Sequence, residues 1–149
     1  MILDPRSETA IATLLPEARA AARTFMAAAI PAMEAVGVQI RIICGTRTYA
    51  QQDALYAQGR TKPGPKVTNA RGGYSNHNFG IAWDIGLFQG KKYLEESPHY
   101  QTCAHIGRIQ GLDCGAFWKS FPDEPHYQLN TGLSTSQLRQ RTAQGKAVC

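Results

Sequence analysis

Two short stretches hold the residues best suited to chemistry. Ser75-Asn76-His77-Asn78-Phe79-Gly80-Ile81-Ala82-Trp83-Asp84 sets a histidine and an aspartate seven residues apart, and Asp123-Glu124-Pro125-His126 adds a second histidine with a carboxylate three residues before it. Two imidazoles and a carboxylate match the three protein ligands of a catalytic zinc, which keeps a fourth position for water, and a further carboxylate remains to take that water's proton. His77, Asp84 and His126 are therefore the candidate metal ligands. The pattern points to a metallohydrolase, although the helical HExxH signature is absent.

Each residue also has an ordinary reading. A lone histidine is usually a satisfied polar residue, but His77 is surrounded by Ser75, Asn78 and Gly80, small or polar neighbours that suit an open site. Asp84 interrupts an alternating run in which Ile81, Trp83, Ile85 and Leu87 share one face and Ala82, Asp84, Gly86 and Phe88 the other. A carboxylate there needs a partner to offset its burial, and a metal is the simplest one. Asp123 and Glu124 compete for the role of general base, with Pro125 restraining Glu124 to an extended conformation. Arg47 reads equally well as a surface charge before a helix or as a guanidinium that holds a carbonyl oxygen as it gains negative charge. His99 and His105 lack a matching carboxylate pattern and are assigned structural or surface roles.

The elements that must position these groups follow from periodicity and punctuation. Residues Ser7 to Val36 are alanine-rich and helical, with Pro16 suited to a first turn, Pro31 kinking or dividing the rest, and Gly37 ending it. Ile40 to Cys44 is a short β-prone run. Thr48 and Gln51 have capping-box spacing for a helix from Tyr49 to Gln58 that stops at Gly59. A loop of roughly fifteen residues, Arg60 to Tyr74, follows, a length more often functional than idle. Ile81 to Phe88 predicts a strand, Ser97-Pro98 opens a helix to about Gln110, and Pro125 to Leu129 predicts a last strand on which His126 and Gln128 share a face. If the two strands are neighbours, His126 and Asp84 meet in one cleft. Ser134 to Gln137 opens a short basic C-terminal helix.

With 149 residues, 43% hydrophobic and 18% charged, the chain fits one globular domain, residues 1–149, with its motifs between about 38 and 130. No apolar run reaches the roughly 18 residues of a membrane span. The N-terminus lacks the pattern of a secretory signal. Synthesis in the cytoplasm is expected, with release by other means if the protein acts outside. The net charge of +5 comes from scattered basic residues without a nucleic-acid module, so no nucleic-acid partner is expected. Cys44, Cys103, Cys114 and Cys149 have no CxxC spacing and look incidental to the chemistry. Cys103 and Cys114 could bridge, but free, mostly buried thiols are expected.

Taken together, Gly45-x-Arg47-Thr48, Gln52-x-x-Leu55-Tyr56-x-x-Gly59-Arg60-Thr61-x-x-Gly64, Ser75-x-His77-x-x-Gly80-x-Ala82-x-Asp84 and Asp123-x-Pro125-His126 resemble the peptidoglycan-cleaving zinc peptidases. That family joins D-alanyl-D-alanine carboxypeptidases and dipeptidases with phage-type L-alanyl-D-glutamate endopeptidases, and shares its fold with the hedgehog signalling domain. The resemblance covers Ile40 to Leu129 and is closest to the endolysin-like endopeptidases, through Gly59-Arg60-Thr61 and through Asp123. It implies an α+β fold, a small antiparallel sheet packed against helices. It further implies zinc on His77, Asp84 and His126, Asp123 as catalytic base, Arg47 stabilising the oxyanion and Ser75 positioning substrate.

The implied substrate is the peptidoglycan stem peptide, cut first at L-alanyl-D-glutamate and alternatively at D-alanyl-D-alanine, by a monomer acting on the cell wall. A catalytically silent zinc module that binds wall fragments or a partner protein is the reading from another class. Cys114 departs from the family pattern, where relatives usually carry tryptophan, which puts local packing in question.

Overall fold

The alanine-rich N-terminal third forms two helices because Pro16 breaks it. A residue before proline is driven out of the helical region, and Leu15 is extended with φ −63° and ψ 155°. In the computed structural model, which describes residues 1–149, α1 (Pro5–Ala12) and α2 (Pro16–Glu34) lead into β1 (Gln39–Cys44) and α3 (Tyr49–Ala57). Then come β2 (Ala82–Gln89), β3 (Lys92–Leu94), α4 (His99–Ile109), β4 (Asp113–Cys114), β5 (His126–Gln128) and α5 (Thr135–Ala143). Short 3-10 turns at Asn76–Phe79 and Gly115–Phe117 complete the chain.

The expected division at Pro31 does not occur. α2 runs through it to Glu34, and the carbonyl four residues back, which loses its N–H partner, belongs to exposed Ala27, where water can serve it. The expected capping box holds: Thr48 Oγ1 accepts from Gln51 N at 3.1 Å while Gln51 Oε1 accepts from Thr48 N at 2.9 Å. The sequence did not show β3 and β4, strands of three and two residues.

The sheet is antiparallel in the order β1-β2-β5-β4, with β3 also paired to β2. Its two faces differ sharply. Ile42, Trp83, Ile85, Leu87 and Tyr127 face a core closed by Ala18, Ala22, Phe25, Met26, Ala29 and Met33 of α2 and by Tyr100, Cys103 and Ala104 of α4. Spacings of three and four residues place these α2 side chains on one stripe. Phe25 is the pivot, its ring 4.5 Å from that of Tyr127 and 6.5 Å from that of Trp83. The edge strand β1 is held from the side by fully buried Ser7, whose Oγ accepts the Ile42 N–H at 2.9 Å.

All four cysteines are free thiols, with Cys103 and Cys114 buried. Burial pushes Cys103 up to about 12 and Cys114 up to about 11. Cys114 fits its tight site because it is small: a Cβ on the neighbouring Gly107 would come within 2.9 Å of its sulfur.

Two outcomes follow from this packing. Phe25→Ala should destabilise the protein by about 3–5 kcal/mol in denaturant unfolding, with little change in the slope. A thiol-specific dye at neutral pH should label Cys149 rapidly and half-buried Cys44 more slowly, reaching Cys103 and Cys114 only when the protein is unfolded.

Candidate functional site

β2 delivers Asp84 to the sheet face away from the helical core, and the strand pairing decides what meets it. The β2–β5 register sets Asp84 opposite His126, and an irregularity between Ile42 and Cys44 sets Cys44 opposite Asp84 on the other side. His77 arrives from the Asn76–Phe79 turn. Ser75 caps that turn by accepting from His77 N at 3.3 Å, and Asn78 Oδ1 reaches back to Ser75 N at 3.2 Å and Gly73 N at 3.0 Å. Gly80, at φ +75°, then reverses the chain into β2.

The result is a convergence on one carboxylate oxygen. Asp84 Oδ1 lies 3.2 Å from His77 Nε2 and 3.4 Å from His126 Nδ1, and the imidazoles are edge-to-face at 4.9 Å. Each ring commits its other nitrogen outward. His77 Nδ1 is 2.9 Å from Gly45 O, a carbonyl that can only accept, and His126 Nε2 is 2.7 Å from Gln128 Oε1. With their protons on the outward nitrogens, both rings turn a lone pair toward Asp84 Oδ1, and two such imidazoles beside one carboxylate call for a cation.

Electrostatics of the protein atoms express the same demand. Burial disfavours charge on His77, but hydrogen bonds to Asp84 and Cys44 outweigh it and hold the imidazole at about 10. Burial likewise works against an ionised Asp84, yet His126 and His77 keep it far below the usual carboxylate range. Two imidazoles and one carboxylate fit zinc, and the three leave the cleft side open.

Asp123 stands on that open side. Its Oδ2 is 4.0 Å from His126 Nδ1, and its side chain is 50% exposed. Partial burial, and next the charge of Asp84, raise its pKa above the ordinary value. Of the two acids Asp123 and Glu124, Asp123 alone lines the cleft: Glu124 Oε2 accepts from Gln101 Nε2 at 3.1 Å, outside it. Gly115 makes the Asp123 turn possible, because a Cβ there would lie 2.2 Å from Asp123 O.

Arg47 is no surface charge. Its guanidinium is 3.4 Å from Asp84 Oδ2 and donates to Gln52 Oε1 at 3.0 Å, while its backbone joins His77 O at 2.9 Å and Asn78 Nδ2 at 3.0 Å. Fully buried Gln52 also donates to Ala70 O at 2.9 Å, which ties the arginine to the long cleft loop. The cavity over the cluster, about 360 Å³, is walled by Val67, Thr68, Ala70, Tyr74 and Ser75 on the loop side and by Trp118 opposite. A larger cavity of about 540 Å³ lies under residues 145–149 and contains neither histidine, so chemistry rather than volume identifies the site.

Several supports escaped the sequence reading. Gln52 enters the sequence reading only as part of the family motif and Asn78 only as a polar neighbour of His77, and neither Trp118 nor Asp113 is given a role there. Cys44, taken as incidental, places its sulfur 4.0 Å from His77 Nδ1, and hydrogen bonding to that ring overcomes burial to lower the thiol's pKa. His99 and His105 lie on α4, where exposed His105 packs its ring 5.0 Å from Phe117.

A family model described as D-alanyl-D-alanine carboxypeptidase matches residues 68–129, the segment carrying Ser75, His77, Asp84, Asp123 and His126. The peptidoglycan L-alanyl-D-glutamate endopeptidase CwlK of Bacillus subtilis (strain 168) is 36% identical over 103 residues, 62% of this chain and 62% of CwlK. The chain is similar to these peptidoglycan peptidases over the matched regions. The match spans less than two thirds of CwlK. The likeness in fold extends beyond the matched segment. The Serratia marcescens L-Ala D-Glu endopeptidase ChiX superposes with a TM-score of 0.58 at 21% identity, over 87% of this chain and 90% of ChiX. The vancomycin-resistance D,D-pentapeptidase VanY, solved in complex with Zn(II), gives 0.50 at 17% identity, over 85% of this chain and 78% of VanY.

Gln52→Ala should leave the Arg47 guanidinium and Ala70 O without their buried partner. The expected cost is about 1–3 kcal/mol, read from denaturant unfolding.

Proposed function

We propose that this chain is a zinc-dependent peptidase that hydrolyses the L-alanyl-D-glutamate bond of peptidoglycan stem peptides. The observation that carries the reading is the meeting of His77 Nε2 and His126 Nδ1 at Asp84, with Asp123 on the open side of the same cleft. The names of CwlK and ChiX support the choice of bond, and the Zn(II) complex of VanY supports the choice of metal.

His77, Asp84 and His126 would hold the metal, and the chemistry it would supply there is Lewis acidity. Asp123 takes the proton of the attacking water and then returns it to the leaving amine. Its raised pKa makes the carboxylate a stronger base for taking that proton. Arg47, held by Gln52 and by Asp84, keeps positive charge beside the oxygen that becomes negative. Ser75 and the Val67 to Tyr74 segment hold the stem peptide against the cluster.

The similarity to the D-alanyl-D-alanine carboxypeptidase family model favours a second reading, cleavage of a terminal D-alanyl-D-alanine bond. No helix is long and apolar enough to cross a membrane; action on the cell wall is part of the proposal.

Mass spectrometry of purified peptidoglycan digested by the zinc-loaded protein separates the readings. Stem peptides with a new N-terminal D-glutamate are expected, whereas free D-alanine would move the assignment to a carboxypeptidase. Asp123→Asn should lower turnover by about 10²–10⁴-fold while zinc is retained. Wall fragments bound but never cleaved would replace the enzyme by a binding module.

A further inference from the structure

One carboxylate outside the proposed ligand set reaches both the cleft wall and a histidine of that set. Asp113 lies opposite Gln128 in the β4–β5 pair. Its Oδ1 accepts the indole N–H of Trp118 at 2.8 Å, and its Oδ2 accepts from Gln128 Nε2 at 3.3 Å. Gln128 Oε1 is thereby turned to His126 Nε2, at 2.7 Å.

The polarity of this chain is set at its far end. A carboxylate accepts and does not donate. Gln128 must therefore give its NH₂ group to Asp113 and its oxygen to His126, and the imidazole must carry its proton on Nε2. Nδ1 is left bare on the side facing Asp84 Oδ1, 3.4 Å away. An amide in this supporting position differs from a carboxylate, because it can flip and offer either a donor or an acceptor.

We infer that Asp113 is a positioning residue: acting through Gln128, it fixes which nitrogen of His126 faces the metal. The inference rests on the reading that His77, Asp84 and His126 hold a divalent cation. The same carboxylate pins Trp118, whose ring sits 5.0 Å from that of His126 and walls the cleft. One group thus couples the tautomer of a ligand to the placement of the substrate wall.

The chemistry of Asp113→Asn makes the role testable. An asparagine offers one acceptor where two donors converge. If it keeps Trp118, its own NH₂ meets Gln128, the amide flips, and its NH₂ then faces His126 Nε2. The imidazole proton is driven to Nδ1, where it blocks the metal. Adding Gln128→Glu restores the polarity, because the introduced carboxylate accepts both from the introduced amide and from His126.

Zinc affinity by chelator competition, with melting of the metal-free protein as a parallel readout, decides the matter. Asp113→Asn should bind zinc about tenfold or more weakly than wild type. The double variant Asp113→Asn/Gln128→Glu should return close to the wild-type affinity. Unchanged affinity in the single variant would overturn the inference, as would a loss that the double variant shares or deepens, the signature of a merely structural role. A wild-type protein that takes up no zinc would overturn the metal reading itself and this inference with it, an outcome distinct from both of the others.

Discussion

A carboxylate in the middle of a central strand is the constraint around which this protein is organised. Trp83 and Ile85, on either side of Asp84, are fully buried in the helical core, so the strand cannot move to expose its acid. The charge must be met where it stands. Two imidazoles and one guanidinium meet it, each delivered by a different part of the chain: the bulged end of β1 leads to Arg47, a capped turn brings His77, and the neighbouring strand brings His126. The cost of placing a charged group there is offset by these contacts, which set an imidazole on either side of one carboxylate oxygen.

The supporting residues are mostly amides. Gln52 holds Arg47 and the cleft loop, Asn78 holds the Ser75 cap and the Arg47 backbone, and Gln128 holds His126. Amides donate and accept together, so each can bridge two backbone or side-chain groups of opposite kind without adding charge beside a cation site. That arrangement leaves Asp84 and Asp123 as the acids lining the cleft, one withdrawn and largely buried, the other at the open side and half exposed. The pKa values of these two neighbouring carboxylates are pushed in opposite directions, in keeping with the proposed roles of ligand and proton carrier.

The sequence was legible wherever a local rule governed. Capping boxes placed the starts of α3 and α5, strand alternation placed Asp84 on the face opposite Trp83 and Ile85, and the family resemblance along Ile40 to Leu129 matched the relatives and the fold. Local rules failed where a contact from elsewhere decided the outcome. α2 passes through Pro31 because the carbonyl it orphans is exposed, and β4 exists because two residues happen to lie beside β5. Cys44 was overlooked because nothing in its own neighbourhood reveals a histidine that lies 33 positions away.

What the sequence by itself determined is the inventory and the periodicity: two histidines, two acids and an arginine, with helices and strands able to carry them. Side-chain type and spacing are local properties, and they suffice to name a chemistry. The tertiary structure alone decided which nitrogen of each imidazole turns inward, that Asp123 rather than Glu124 faces the cleft, and that Asp113, Gln128 and Trp118 belong to the same apparatus. These are questions of hydrogen-bond direction between residues far apart in the chain. They have no answer until strand pairing and turn geometry have fixed which donors face which acceptors.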